Sequence, residues 1–249
     1  MGLLWERRVD GKLYQVRSAG DTRRLYTDGV FHSQYNPRRP VTGSVWDLLL
    51  LPAFFYAPGQ LRRILVLGVG GGAVIRQLRD FVEPELIVGV ELNPVHLSVA
   101  RRFFGVRGRG VQLEQADAVD WLGRYRGPGF DMIVDDLFGE YDGEPQRAVY
   151  ADAGWVAALG RCLNPGGMIV SNFTSLLELE ASAFLADREC RRRFRAAFRL
   201  GTTRNYNAVG VFLQKPATTR QLRERLIRIP VLDPRRSAGL RYHIRTLAL

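Results

Sequence analysis

A chain of 249 residues, 46% of them hydrophobic, can build one sizeable core and is too short for two catalytic domains of ordinary size. Its formal charge of +11 comes almost wholly from arginine, since lysine occurs only at Lys12 and Lys215, and such a bias reads as a solvated arginine-rich face before it reads as a nucleic-acid footprint. Cys162 and Cys190 stand in no metal or redox spacing, the longest apolar stretch (48–57) is broken by Pro52, and residues 1–6 lack the layout of a signal peptide or lipidation signal; a reduced, cytoplasmic protein without metal or membrane span is expected.

Residues 1–43 are short mixed runs punctuated by Asp10-Gly11, Gly20-Asp21, Asp28-Gly29 and Asn36-Pro37, which predicts a small appendage of antiparallel hairpins. Residues 44–55 are apolar-rich and predict a connecting helix, the start of a main domain running from 44 to 249. From residue 61 onward, β-branched runs alternate with amphipathic stretches, the pattern of a βαβ sheet. Seven strands are expected, at 64–67, 86–91, 111–113, 132–135, 168–172, 198–202 and 208–213. Asn93 followed by Pro94 marks a helix start after the second of these, and Asn164-Pro165-Gly166-Gly167 is a turn into the fifth. Residues 188–199 carry six arginines on what reads as a helix, and the tail from 220 adds more.

The first strand runs into Gly68, Gly70, Gly71 and Gly72 and then a helix, so the backbone can bend sharply and a ligand can approach where a Cβ would collide. A tight βα turn needs glycine even without a ligand, so the glycines alone are weak evidence. Glu91, at the end of the next strand and about twenty residues on, sharpens them, because a carboxylate there can accept both hydroxyls of a ribose. Dinucleotides stay open on this evidence. Asp117 follows the third strand, where class I methyltransferase-type Rossmann folds commonly contact an adenine amino group; it also fits an N-cap.

After the fourth strand, Asp131, Asp135, Asp136, Glu140, Asp142 and Glu144 fall in one stretch without a basic residue, which suggests a mouth for a cation. Asp135 and Asp136 are adjacent and point to opposite faces if the strand continues. An amine acceptor with a pKa of about 10 must lose a proton before it attacks carbon, and Asp136 is the candidate to take it, with Asp135, Glu140 and Asp142 as candidate acceptor-binding residues.

Together these residues resemble the spermidine synthase (polyamine aminopropyltransferase) family from about residue 20 to 215. Tyr26 to Ser33 resembles that family's hairpin motif, with His32 in the place of a cofactor-contacting glutamine; the glycine turn resembles GGGDGG-x-x-R, with Arg76 on its arginine; Glu91 matches its ribose-binding glutamate and Asp136 the first aspartate of its D-S-S-D-P loop. The resemblance implies S-adenosylmethionine or its decarboxylated form as cofactor, methylthioadenosine as product, and a homodimer paired through the hairpins. Three places depart from it. Gly71 stands where an aspartate holds the aminopropyl amine, Gly139 replaces the second loop aspartate, and Val45, Trp46 and Asp47 replace a tyrosine–glutamate pair; Asp47, Glu140 or Asp142 could compensate.

Two alternatives accompany this reading. One is an S-adenosylmethionine-dependent methyltransferase, for which a bare position 71 leaves room for the cofactor's carboxylate. The other is a catalytically silent nucleoside-binding homologue using its arginines on an acidic partner; no recognised nucleic-acid module accompanies them, so nucleic acid is not the expected partner.

Overall fold

The structure, a computed structural model, describes residues 2–249 except 142–143, 205 and 237–239, and the side chains of Glu140, Tyr141, Glu144 and Pro145 are likewise not described. Strands β1 (Gly2–Val9), β2 (Lys12–Ala19), β3 (Thr22–Thr27) and β4 (Val30–Tyr35) form an antiparallel meander in that order. Its first and third turns use the expected pairs: Asp10 and Gly11, then Asp28 and Gly29, all adopt positive φ, which matches a two-residue turn to the right-handed strand twist. Helix α1 (Val45–Leu50) passes directly into a 3₁₀ turn (Leu51–Phe55), where Pro52 occupies a first-turn position and removes no needed N–H.

The main sheet follows: β5 (Arg63–Leu67), α2 (Ala73–Phe81), β6 (Leu86–Glu91), α3 (Pro94–Phe103), β7 (Val111–Gln115), α4 (Ala118–Arg124) and β8 (Phe130–Asp135). A hairpin of β9 (Phe138–Tyr141) and β10 (Glu144–Arg147) precedes α5 (Ala153–Arg161) and β11 (Leu163–Phe173). Three short helices, α6 (Leu176–Ala181), α7 (Ala183–Ala186) and α8 (Arg188–Arg191), lead to β12 (Ala196–Gly201), β13 (Ala208–Leu213), α9 (Thr219–Leu226) and β14 (His243–Leu247). The strand order is β14-β12-β13-β11-β8-β5-β6-β7. All seven expected strands are present. The eighth, β14, pairs antiparallel with the outer edge of β12.

The arginine-rich stretch is only partly helical. α8 covers four residues, and from Ala196 the chain is extended because it pairs with β13, Ala196 opposite Leu213. Pairing across the sheet overrides a helix-compatible local composition here.

The sheet is buried on both faces, so its central strands read as unbroken apolar runs. Successive residues alternate between two cores. Ile64, Val66, Met132, Val134 and Val170 pack with Tyr14, Val16 and Leu25 of the meander and with α1, while Leu65, Leu67, Ile133 and Ile169 pack with Trp155, Phe184 and Phe212. The meander is therefore joined to the sheet by core packing. β6 and β7 lie on one side of β5, and β8 and β11 on the other; this reversal opens a crevice beyond the carboxyl ends of β5 and β8, where ligands of such sheets bind.

Candidate active site

Gly68 leaves β5 with φ +84°, and a Cβ there would stand 2.2 Å from the backbone oxygen of Asp136. Only glycine lets the ends of β5 and β8 approach so closely. A Cβ at Gly71 would lie 2.6 Å from Ser33 Cβ and 3.0 Å from Phe104 Cε1, and one at Gly72 would lie 2.5 Å from Val106 Cγ2. Gly70 faces the backbone oxygen of His32 in the same way, at 3.1 Å. The bare backbone at 68, 71 and 72 is thus required by the protein's own packing, and Gly70 is favoured by its φ of +53°. Of the two reasons read from the sequence, a sharp bend and the approach of a ligand, these contacts supply the first.

Glu91 closes the bend. Its Oε2 accepts from the backbone N–H groups of Val69 (3.0 Å) and Gly70 (2.9 Å), and its Oε1 accepts from Asn93 N (2.9 Å). Burial pushes its pKa up and the three backbone donors pull it down. One carboxylate thereby ties β6 to the turn after β5, and Oε1 carries the smaller share of these bonds. Asn93 caps α3, its Oδ1 accepting from Val95 N, and its Nδ2 donates to Tyr14 Oη in the meander (2.9 Å).

Around Glu91 lies a cluster that sequence reasoning did not assemble. His96 Nε2 is 2.9 Å from Thr27 Oγ1, its Nδ1 is 3.9 Å from Glu91 Oε1, and its ring lies 4.7 Å from that of His32. His96, in the first turn of α3, is buried. Burial first, and for His32 the neighbouring His96 next, lower both imidazoles to about 4, so both are neutral near pH 7. His32 Nε2 is buried and has no protein partner. That orphaned nitrogen, at the seam of meander and bend, is where a polar ligand atom would be satisfied.

On the other side of the crevice, β8 ends in two aspartates with opposite fates. Asp135 is fully buried, its Oδ2 accepting from Arg147 Nη2 (2.9 Å), Trp155 Nε1 (3.1 Å) and Ser171 Oγ (3.0 Å). The β9–β10 hairpin explains this, since it carries the chain out and returns it to Leu137, with Ala148 N donating to Leu137 O, which drops Arg147 onto Asp135. Arg147 also donates to the backbone oxygens of Asn172 and Val149. Asp135, expected at the acceptor, is enclosed and committed to this pair.

Asp136 faces the other way and accepts from Asn172 Nδ2 (2.8 Å). Burial raises it to about 6, a shift that Asp135 adds to and the Asn172 bond opposes. Such a group is ionised near neutral pH and can still take a proton.

Asp117 is the N-cap of α4, with Oδ1 accepting from Val119 N and Asp120 N. Asp47 is buried and bonded to Thr42, Gly43 and Gln77, so it staples the loop before α1 and does not replace a missing acceptor carboxylate. Asp131 binds Arg62 N and Arg63 N at the far end of β8. The side chain of Glu140, and Asp142 altogether, lie outside the described residues. Beside Arg147, whose Nε is 3.7 Å from Glu178 Oε1, opens a cleft of about 490 Å³ lined by Tyr150, Asp152, Phe173, Glu178 and Asp187 among others. Among the described residues no group of His, Cys, Asp and Glu is placed to hold a metal, and no helix is long and apolar enough to cross a membrane.

Comparison with known proteins bears on this geometry. The chain is 25% identical over 170 residues to the polyamine aminopropyltransferase of Aeropyrum pernix, a match covering 66% of this chain and 52% of that protein. Across the first curated relatives the match spans between a third and about half of their length. Spermidine synthase from Thermotoga maritima shares the fold at a TM-score of 0.66 and 12% identity, over 91% of this chain and 77% of that one. Human methyltransferase-like protein 13, solved with SAH, shares it at 0.62 and 21%, over 79% and 93%. The pattern of the spermine/spermidine synthase domain matches residues 48–221, from α1 through β13, and so takes in the glycine bend, Glu91 and Asp136. With that match covering well over half of its length, the chain belongs to the spermine/spermidine synthase family.

Proposed function

We propose that the protein is a transferase that binds S-adenosylmethionine or its decarboxylated form across the β5–α2 bend and moves an alkyl group, an aminopropyl group in the leading case, to an amine. The observation that carries this is the pair of carboxylates flanking the bend: Glu91, held by three backbone donors, and Asp136, with its pKa raised to about 6. Glu91 Oε1 would hold the ribose diol, with His32 Nε2 beside it and Asp117 near the base. When bound, the sulfonium supplies an electrophilic carbon and a neutral thioether leaving group. Asp136 attracts the acceptor ammonium, orients its nitrogen and accepts the proton it must lose. Asn172 fixes the carboxylate's orientation. The cleft beside Arg147 offers Asp152, Glu178 and Asp187 with two aromatic side chains, which suits the rest of a cationic acceptor.

The nucleoside half fits these residues better than the aminopropyl half. Position 71 has no carboxylate, and Ser33 and Phe104 fill the space one would occupy. This observation supports a second reading, methyl transfer from S-adenosylmethionine, whose own carboxylate an acidic side chain at position 71 would repel. Titration calorimetry with both sulfonium compounds and with methylthioadenosine separates the two. Preference for the decarboxylated compound, with amine-dependent release of methylthioadenosine that falls about 10²-fold or more in Asp136→Asn, supports aminopropyl transfer. Preference for the carboxylated compound supports methyl transfer, and no heat from any of the three overturns both. A cytoplasmic location and a homodimer paired through the meander belong to the same proposal.

A further inference from the structure

Far from the crevice, the outer edge of the sheet holds a pairing that is unfavourable as it stands. In the β12–β14 ladder Arg199 lies directly opposite Arg245, and Gly201 opposite His243. Opposed residues of an antiparallel pair project to the same face with Cβ atoms about 5 Å apart, so two guanidinium groups and an imidazole share one patch, and like charges so placed repel. Gly201 makes room for the third member: a Cβ there would lie 2.5 Å from His243 Nε2. Burial, then Arg199 and Arg245, depress the pKa of His243, which places the imidazole within the field of both arginines.

The meander contains a comparable pair that is settled. Arg17 lies opposite Arg24, but Arg17 donates twice to Gln15 Oε1 and Arg24 donates to Gln34 Oε1, and each guanidinium lies over an aromatic ring, Tyr26 or Phe31. Arg199 and Arg245 have no such relief. Neither has a hydrogen bond or an ion pair with any described residue, and Arg199 Nε is buried without a partner although the residue as a whole is half-buried and Arg245 is exposed. A buried charged donor left unmatched is costly unless something supplies acceptors.

We infer that Arg199, Arg245 and His243 form a binding site for a phosphate-type oxyanion, which bridges β12 and β14 and locks the C-terminal strand to the sheet. A tetrahedral oxyanion presents several acceptors to two guanidinium forks and removes their repulsion. The site is separate from the proposed nucleoside site and does not depend on it.

The test uses the whole protein and inorganic phosphate as probe. Thermal unfolding is followed with and without phosphate at constant ionic strength, chloride replacing it, for the wild type, Arg199→Gln, Arg245→Gln and, as an exposed arginine elsewhere, Arg126→Gln. Saturating phosphate should raise the wild-type and Arg126→Gln midpoints by about 3 °C and leave the other two unmoved. Without phosphate, Arg245→Gln should unfold at the wild-type temperature or above, since it removes a repulsion; this also shows that the variant folds. Glycerol 3-phosphate in place of phosphate distinguishes an esterified from a free anion: an equal shift assigns the site to phosphoryl groups generally, and no shift assigns it to the free ion. No phosphate-specific shift in the wild type, or the same shift in Arg199→Gln and Arg245→Gln, overturns the inference.

Discussion

Around Glu91 a buried carboxylate is held by backbone N–H groups of a turn, whereas around Asp135 a buried carboxylate is held by a guanidinium, an indole and a hydroxyl. Both sit at the carboxyl end of a central strand. The first arrangement spends no side-chain charge, and backbone donors supply the stabilisation that burial removes. The second needs a cation carried in by a hairpin. The difference explains why Asp136 stays available: its neighbour absorbs Arg147, and Asp136 is left with one neutral donor and a raised pKa.

Breaking the second arrangement should have the largest effect. Arg147→Met strands Asp135 in the core and should cost about 3–5 kcal/mol in urea unfolding, while the double variant with Asp135→Leu should recover most of it. If the single variant loses less than about 1 kcal/mol, the pair is not the anchor of the β9–β10 hairpin.

A smaller loss is expected on the first side. Gly71→Asp restores the family's carboxylate by sequence but drives it into Ser33 and Phe104, so a cost of about 1–3 kcal/mol without any gain in affinity for the decarboxylated sulfonium is predicted. A gain in affinity would mean that the meander yields there.

The mildest probe is pH. Because the folded-state pKa of Asp136 lies near 6 and the unfolded value near 3.9, the folded state binds more protons between those values, and this group's contribution to stability falls as pH rises from about 4 to 6. Asp136→Asn should flatten that segment of the stability profile. In the same window, activity should rise with pH as the carboxylate ionises.

Much of the frame was legible in the sequence because it is local: the Asp-Gly turns, the Asn93-Pro94 helix start, and apolar runs long enough for a strand buried on both faces. The glycine bend and Glu91 were legible through their spacing. The opposite facing of Asp135 and Asp136 followed from strand geometry alone. What stayed hidden depends on distant pairing. β14 is a five-residue segment that becomes a strand only because β12 offers a free edge, and β12 begins at Ala196, inside an apparent helix, because β13 is there. Arg147 was the first basic residue after the acidic run, a signal that could have been used; nothing local said that a hairpin would fold it back onto Asp135. His96 gave no sign of burial, since its partner Thr27 is 69 residues away.

The central claim is that Glu91 grips the sugar of the cofactor, and methylthioadenosine titrated into wild type and Glu91→Ala tests it most directly. Loss of a charge-assisted bond to the diol predicts an affinity at least about tenfold weaker, in a variant whose unfolding remains cooperative. Unchanged affinity in a folded Glu91→Ala protein would contradict the account.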